Sequence, residues 1–594
     1  MTSTAGPFRV LLVGSFRSVI PEGWDTPLGG QGGFVDTLAP SPYSLANAVL
    51  QVFAEADERV RRTCRIERLD LAEPFYIEDE REHVELSRED LDRILAHEPD
   101  LVAFSTYCWN LDTVKRAANE LKRRRPHLEV ILGGRGTEGD PVSLLANAPA
   151  IDGAVLGEGE AAFVEVLLHR GERLAGIPGV VCRDGDRIVS GPPPRCIDDL
   201  DLIPSPYLAG ALEPPADGMM LETSRGCLHR CGYCTWNAEK RLRFFGADRI
   251  AAEAAWALDH GHRHITLDDS AINYDTNRLR SLVGAFRSAD PEGRIRLTYN
   301  LRHDLLDEEQ IDLLSRLPTH MVLLGVETLS SPAMGQVDRA EVDVDRLRDT
   351  LGGLSRATRP PVVSVVLGLP GDDEESFFHT TLAPLLEWTR APGDGPPVVG
   401  TVLVSLLQVY PGSTLWSRRD ELGLRFNEPG IPYLIESPDW PRDALARAKR
   451  RLVDLMAEHP DTLKAAEAIV LMDALREVDP WLSRRRVAGL LRSWPRGVTR
   501  EGWTLERMGL MRDTGAGFSL RFAWHAGGEA RVVLRRRRSS RRGSAETRLY
   551  SLSLRRLPGC TAPAGPCSWL EREVRRVLLE GEERAARSAE SSTR

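Results

Sequence analysis

Three cysteines within eight residues constrain this 594-residue chain more than any other feature. Cys227, Cys231 and Cys234 stand in the run Arg225-Gly-Cys-Leu-His-Arg-Cys-Gly-Tyr-Cys-Thr-Trp236. Three soft thiolates suit an iron–sulfur cluster. A [4Fe–4S] cluster takes four ligands, and the motif offers three. The fourth iron is then open to a small molecule. Structural zinc is the rival, but it also takes four ligands, and no second Cys-x-x-Cys pair exists to complete the set. His229 could serve as a fourth ligand, although it sits inside the motif, where geometry is tight. With nine cysteines in the chain, chance would place such a triad in roughly one chain in several hundred.

A chain this long exceeds a single hydrophobic core, so three or four domains are expected. The residues are 42% hydrophobic and 28% charged, an ordinary soluble composition. No apolar run reaches the ~18 residues of a membrane span. Met1 to Pro7 has neither a basic nor an apolar region, so no export signal is expected. Scattered cysteines argue against a disulfide framework, and an oxygen-sensitive cluster points to the reducing cytoplasm. Charge is uneven. From Trp481 onward there are 25 Arg against 11 Asp and Glu, or +14, on a chain of net −10. The plain reading of that tail is a solvated, Arg-rich surface; the alternative is contact with an acidic leader peptide or RNA.

Strand and helix signals alternate over the first 190 residues. Strands are expected at Phe8–Val13, Cys64–Leu69, Leu101–Phe104, Val130–Leu132 and Gly153–Leu156, with a helix over Tyr43–Glu55. Such alternation builds a parallel, doubly wound sheet, with ligands at the carboxyl ends of its strands. A Pro-rich stretch over 191–215 reads as a linker. The cysteines then open a second series over 216–440. Strands are expected at Ile265–Leu267, Ile295–Tyr299, Met321–Gly325, Val362–Leu367 and Val398–Leu403. Helices are expected at Ala247–Leu258 and Leu305–Leu317. About six strand–helix units make a partial (β/α)6 barrel. A helical extension follows over 441–480, with a helix near Arg442–His459. The basic region 481–594 is read as a small α+β cap. The fold class is α/β.

The spacing Cys-x3-Cys-x2-Cys, with Tyr233 before the last cysteine, resembles the radical SAM superfamily. The resemblance implies that the open iron chelates the amino and carboxylate groups of S-adenosylmethionine. Tyr233 would touch the adenine. Ser364-Val-Val-Leu-Gly-Leu-Pro-Gly371 resembles the fifth-strand adenine motif, with Ser364 in place of the usual Gly and Gly368 in the turn. Gly325-Val-Glu-Thr328 looks like the fourth-strand end, with Glu327 near the ribose or methionine. Arg302, closing the third strand, could hold the SAM carboxylate. On the second strand Asp268 or Asp269 would bind the amine, or even approach the open iron. Each of these alone is also a plain strand-end loop, and either aspartate could simply cap the next helix.

The N-terminal region resembles the Rossmann-like cobalamin-binding domain that precedes the barrel in one large radical SAM subfamily. The matching pieces are Ser105, Thr106, Tyr107, Cys108, Trp109 and Asn110; Gly133 and Gly134; and Gly157, Glu158 and Gly159. Pro204-Ser-Pro-Tyr207 also matches, and the Asp-x-His-x-x-Gly motif of cobalamin mutases is absent. The Tyr107–Asn110 loop would lie on the corrin ring, and the glycines would give close backbone approach. Tyr107 and Trp109 also read as core aromatics. The Gly-rich stretch from Ser15 to Pro40 matches nothing in that place.

The resemblance implies a cytoplasmic methyltransferase acting on an unactivated carbon or phosphorus of a small metabolite or peptide in bacterial secondary metabolism. Its cofactors would be a [4Fe–4S] cluster, SAM and cobalamin. It would act through methylcobalamin and a 5′-deoxyadenosyl radical. It implies an electron donor such as flavodoxin or ferredoxin, no membrane partner and no nucleic acid. Oxidative cyclisation or ring rearrangement on the same scaffold, polar methylation of an aromatic ring, and a non-catalytic cobalamin or redox sensor remain as alternatives.

Overall fold

The computed structural model describes residues 6–14 and 43–465, apart from a few short stretches, and five strands between 499 and 556. The chain divides into two compact units, the first running to Leu445 and the second holding the residues from Ala446.

The first unit opens with β1 (Phe8–Gly14), β2 (Cys64–Asp70), β3 (Leu101–Ser105), β4 (Glu129–Gly133) and β5 (Gly153–Val155). They pair in parallel in the order β2-β1-β3-β4-β5. β1 reads as an unbroken apolar run because both faces are covered. Leu11 and Val13 join Phe104 and Leu132 on one face, and Val10 and Leu12 join Ile66 and Ile131 on the other. Each such side chain contributes about 1.5–3 kcal/mol on burial. Helix α1 (Leu45–Ala56) is capped by Ser44, whose side chain accepts from the Asn47 amide.

The sheet is not wholly parallel. β6 (Val180–Asp184) runs antiparallel to β5, and β7 (Arg187–Ser190) antiparallel to β6. The expectation of an all-parallel sheet is corrected at this edge. The signal was there: Gly185 (φ 62°) and Asp186 make a two-residue hairpin loop.

The stretch over 191–215 is no loose tether. Leu200, Ile203 and Tyr207 are buried. The Tyr207 hydroxyl donates to the Met220 carbonyl, and its ring lies 5.3 Å from Trp256. Tyr43, ahead of α1, donates to the Gly218 carbonyl at 3.0 Å and accepts from the Met220 amide at 2.8 Å.

The second series begins at β8 (Met219–Leu221), followed by a small antiparallel hairpin of β9 (Ser224–Gly226) and β10 (Leu242–Phe244). Then come β11 (His264–Leu267), β12 (Arg296–Leu301), β13 (Thr319–Glu327), β14 (Val362–Leu367) and β15 (Thr401–Leu406). β8, β11, β12, β13, β14 and β15 lie side by side in parallel. Helices cross between them, among them Ala247–Asp259, Thr276–Ala289, Glu308–Ser315 and Val344–Ala357. These six parallel strands form a partial barrel. The last strand starts three residues later than the apolar run suggests. Val399 and Gly400 spend their amides on Trp388 and Pro361, outside the ladder.

In the second unit, most of helix Arg442–Glu458 lies where a helical extension was expected. Thr499–Arg500, Trp503–Asp513, Phe518–Trp524, Glu529–Arg538 and Glu546–Arg556 form an antiparallel five-stranded sheet. The helical part of the expected α+β cap lies outside the described residues, as does the Ser15–Pro40 stretch.

Candidate functional site

The cysteine run leaves the β9–β10 hairpin at the carboxyl end of the barrel. One buried carboxylate sets the approach to it. Asp269, at the end of β11, accepts from the Thr223 and Ser224 amides at 3.0 and 2.5 Å and from their hydroxyls at 2.8 and 2.7 Å. Its oxygens are thereby spent on the chain, so it is a positioning group and not the free ligand the sequence offered. Burial pushes its carboxyl up to about 6, against the pull of those four bonds. Its neighbour Asp268 has no hydrogen-bond donor on its carboxylate among the described residues. Burial pushes Asp268 up to about 7, and Glu222 and Asp269 add to the rise. Of the two aspartates, Asp268 is the one left to meet a cation.

Around the cysteines the contacts are specific. The Cys227 thiol lies 2.9 Å from the Tyr274 hydroxyl, and Tyr274 stacks on His229 at 5.6 Å. Cys234 accepts from the Trp236 amide at 3.4 Å. Burial pushes the Cys234 thiol up to about 12. An ionised triad here needs a cation to balance it. Cys231 receives two guanidinium groups, from Arg302 and Arg339, each at 3.7 Å.

Arg302 is held by Asp304 through two bonds of 2.8 and 2.7 Å. Burial opposes ionisation of Asp304, yet Arg302 holds it down at about 2. Arg339 is the residue that sequence reasoning missed. It donates to the Gly325 carbonyl at 2.7 Å and the Tyr233 hydroxyl at 3.1 Å, and lies 3.7 Å from Glu327. Tyr233 and Glu327 are therefore joined through one buried cation. Burial raises both their pKa values, and Arg339 opposes the rise in each. Glu327 has φ 69°, a strained backbone for a non-glycine residue. The adjacent Thr328 is pinned, its hydroxyl 3.2 Å from Asp372 and 3.1 Å from Thr381. Thr381 lies in a π-helical stretch, Ser376–Leu382.

Ser364 sits on β14 opposite Gly325 of β13. Gly368 follows the strand with φ 101°, and a Cβ there would stand 2.8 Å from Leu434. Its glycine is accounted for by backbone and packing alone.

The N-terminal sheet presents its own strand-end loops. Thr106 donates through its amide and its hydroxyl to the Gly133 carbonyl, both at 2.7 Å. Asn110 is buried; it accepts from the Tyr107 amide at 2.7 Å and donates to the Ser105 carbonyl at 3.1 Å. It braces the turn that carries Tyr107 and Cys108. Trp109 lies outside the described residues. At Gly134 (φ 89°) a Cβ would meet the Thr106 carbonyl oxygen at 2.7 Å, whereas at Gly133 it would point into open space. Burial raises the Tyr107 phenol, and the charges of Asp268 and Glu222 act on it.

The Gly157–Glu160 run differs from expectation at its acids. Glu158 carries both guanidinium nitrogens of Arg243, and Glu160 takes Arg225 at 2.6 Å. Gly157 (φ 66°) packs toward Pro194, and Gly159 toward Leu50. Glu158 is a tie to the barrel and leaves no free carboxylate for a corrin.

The donor set fits a cluster better than a zinc ion. Among the described residues no three His, Cys, Asp or Glu side chains converge closely enough to hold one metal ion. In a [4Fe–4S] cluster each thiolate binds a different iron, so convergence is not required. At the other sheet, nothing stands within 4 Å of a Cβ built on Gly133, so its backbone is open to close approach by a ligand.

Comparisons with known proteins agree with this division. Residues 76–167 match the model of the B12 binding domain, and residues 221–381 match that of the radical SAM superfamily. The chain is 27% identical over 359 residues to the 2-(S-pantetheinyl)-carbapenam-3-carboxylate methyltransferase of Streptantibioticus cattleyicolor, covering 56% of this chain and 50% of that one. It is 26% identical over 354 residues to the cobalamin-dependent radical SAM methyltransferase TokK of Streptomyces tokunonensis, with the same coverage. The chain spans about half the length of these curated relatives. Among solved structures it resembles the radical S-adenosylmethionine methyltransferase TsrM of Kitasatospora setae, with a TM-score of 0.51 at 18% identity, over 71% of this chain and 80% of that one. Along the chain the B12-binding match precedes the radical SAM match.

Proposed function

We propose that this chain is a cobalamin-dependent radical SAM methyltransferase acting on an unactivated carbon or phosphorus of a small metabolite or peptide. One observation carries the reading. A strand-end turn of the N-terminal sheet, through Glu158 and Glu160, bonds Arg243 and Arg225 of the β9–β10 hairpin, from which the cysteine loop departs. The names of the two relatives, both methyltransferases, support it. When bound, the cluster supplies one electron to cleave SAM, and cobalamin carries the methyl group.

The chain's own residues hold and orient. Cys227, Cys231 and Cys234 bind the cluster, and Arg302 and Arg339 donate toward Cys231. Asp268 takes the SAM amine, and Tyr233, Glu327, Ser364 and Gly368 line the nucleoside side. Ser105, Thr106, Tyr107, Cys108, Trp109, Gly133 and Gly134 face the corrin, with Gly157 and Gly159 beside them. Domain limits at 1–190, 216–440 and 481–594 belong to the same reading. So do a low-potential flavodoxin or ferredoxin as electron donor, a cytoplasmic setting and a place in natural product biosynthesis.

Product analysis tests it. The anaerobically reconstituted chain, with labelled SAM and a substrate panel, is expected to give S-adenosylhomocysteine together with 5′-deoxyadenosine. 5′-Deoxyadenosine alone would mean cyclisation or rearrangement. S-adenosylhomocysteine alone would mean polar methylation. Neither product, from protein holding both cofactors, would leave a sensor.

A further inference from the structure

The neck of the cysteine loop is held by the other domain. β9 and β10 are the two strands from which that loop departs, and in their register Arg225 stands directly opposite Arg243. Two like charges facing across a hairpin destabilise it. Here each is neutralised from one turn of the N-terminal sheet. Glu158 takes Arg243 by both nitrogens, and Glu160 takes Arg225 at 2.6 Å. The set is closed by further bonds. Arg243 donates to the Ile197 carbonyl at 2.5 Å, the Ile197 amide donates to Glu158 at 3.3 Å, and Glu222 takes a second edge of Arg225 at 2.9 Å. The side chains of Arg243 and Glu160 are each only 5% exposed. A buried pair of this kind is strongly destabilising when one partner is removed, because the other charge is left unpaired. Cys227 follows Arg225 by two residues, so the first thiol takes its position from this joint.

We propose that Glu158 and Glu160 are positioning residues of a clamp through which the B12-binding domain holds the neck of the cluster loop, and that they are not contacts to cobalamin. The assignment of the loop to a cluster rests on the proposed function; the clamp itself is testable in the chain without cofactors. Removing it loosens Cys227–Trp236 while the two sheets stay folded.

The test uses full-length Glu158→Gln, Glu160→Gln and the double variant, first without cofactors. Hydrogen exchange of the Cys227–Trp236 peptide, and tryptic cleavage after Arg230, are expected to speed by about tenfold or more. Exchange in β12 stays unchanged and reports an intact barrel. If the double variant loses β12 protection as well, Glu158→Asp, which keeps the charge and shortens its reach, takes its place, with the same expectation for the loop. The second stage adds cofactors. The Gln variants are expected to retain cobalamin like the unaltered chain, to hold less iron, and to show a weakened magnetic interaction between cob(II)alamin and the reduced cluster. A protected loop together with lost cobalamin would overturn the proposal and restore Glu158 as a corrin contact. If the unaltered chain holds neither iron nor cobalamin, the functional reading fails, and the exchange result still decides the clamp.

Discussion

Two side chains at the mouth carry opposite penalties. Asp268 is an acid whose pKa burial lifts from 3.8 to about 7. Its folded-state value lies above its unfolded one, so the native state binds the extra proton between those values. Stability from this group is fully present below about pH 4 and is lost as pH rises to about 7. Asp268→Asn should therefore stabilise the cofactor-free chain by about 2 kcal/mol at pH 8, and by much less at pH 5. The same change should weaken SAM binding, if the carboxylate meets the amine. Melting curves at the two pH values check the first statement, and equal shifts at both would contradict it. Arg339 works the other way. Removing it leaves Glu327 buried without its cation, so Arg339→Met should cost about 3–5 kcal/mol. Arg339→Lys, which keeps charge but loses the fork, should cost less. Urea unfolding of the cofactor-free variants measures both. Arg339 could not be read from the sequence, because it stands 106 residues from Tyr233 and 108 from Cys231. Asp268 and Asp269 were legible as a pair. Only the Thr223 and Ser224 bonds separate their roles.

At the scale of elements, what was legible followed from burial on two faces. β1 and β14 fill both faces of their sheets, so their apolar runs mark them directly. β15 was misplaced because its run begins before its ladder does. The edge hairpin β6–β7 was passed over because β7 is half exposed and carries no apolar run. The β9–β10 hairpin is three residues a side, too short for any periodicity to mark. Yet it depends on one legible glycine. Gly226 has φ 95°, and a Cβ there would sit on the Arg241 carbonyl oxygen. Gly226→Ala is expected to break the neck locally, at a cost of about 2–3 kcal/mol. Exchange at Cys227–Trp236 should rise while α1 is unaffected. An unchanged loop would mean that the hairpin is not its anchor.

Across the molecule, the two proposed cofactor sites rest on different scaffolds. The loops proposed to face the corrin are closed by their own bonds, Thr106 to Gly133 and Asn110 to Ser105 and Tyr107. None of those bonds involves a cysteine of the triad. The barrel side depends on Cys227, Cys231 and Cys234, whose spacing was readable, and on Arg302 and Arg339, which meet Cys231 only in three dimensions. The ties between the sheets run through Glu158, Glu160 and Tyr43. They were the hardest to read, since a Gly-Glu-Gly-Glu run carries no mark of which arginine it will meet. This arrangement predicts that the sites load separately. The triple variant Cys227→Ala, Cys231→Ala, Cys234→Ala should lose the roughly four irons per chain of a [4Fe–4S] cluster. It should still retain about one cobalamin per chain, the number a single pocket takes. Its melting temperature without cofactors should stay close to that of the parent, because the Glu158–Arg243 and Glu160–Arg225 pairs are untouched. Iron and cobalamin assays on the same preparation decide it. Retention of full iron would remove the triad as the cluster site. Loss of both cofactors from a stably folded variant would mean that the cluster loop itself forms part of the corrin pocket, and that the two sites are one.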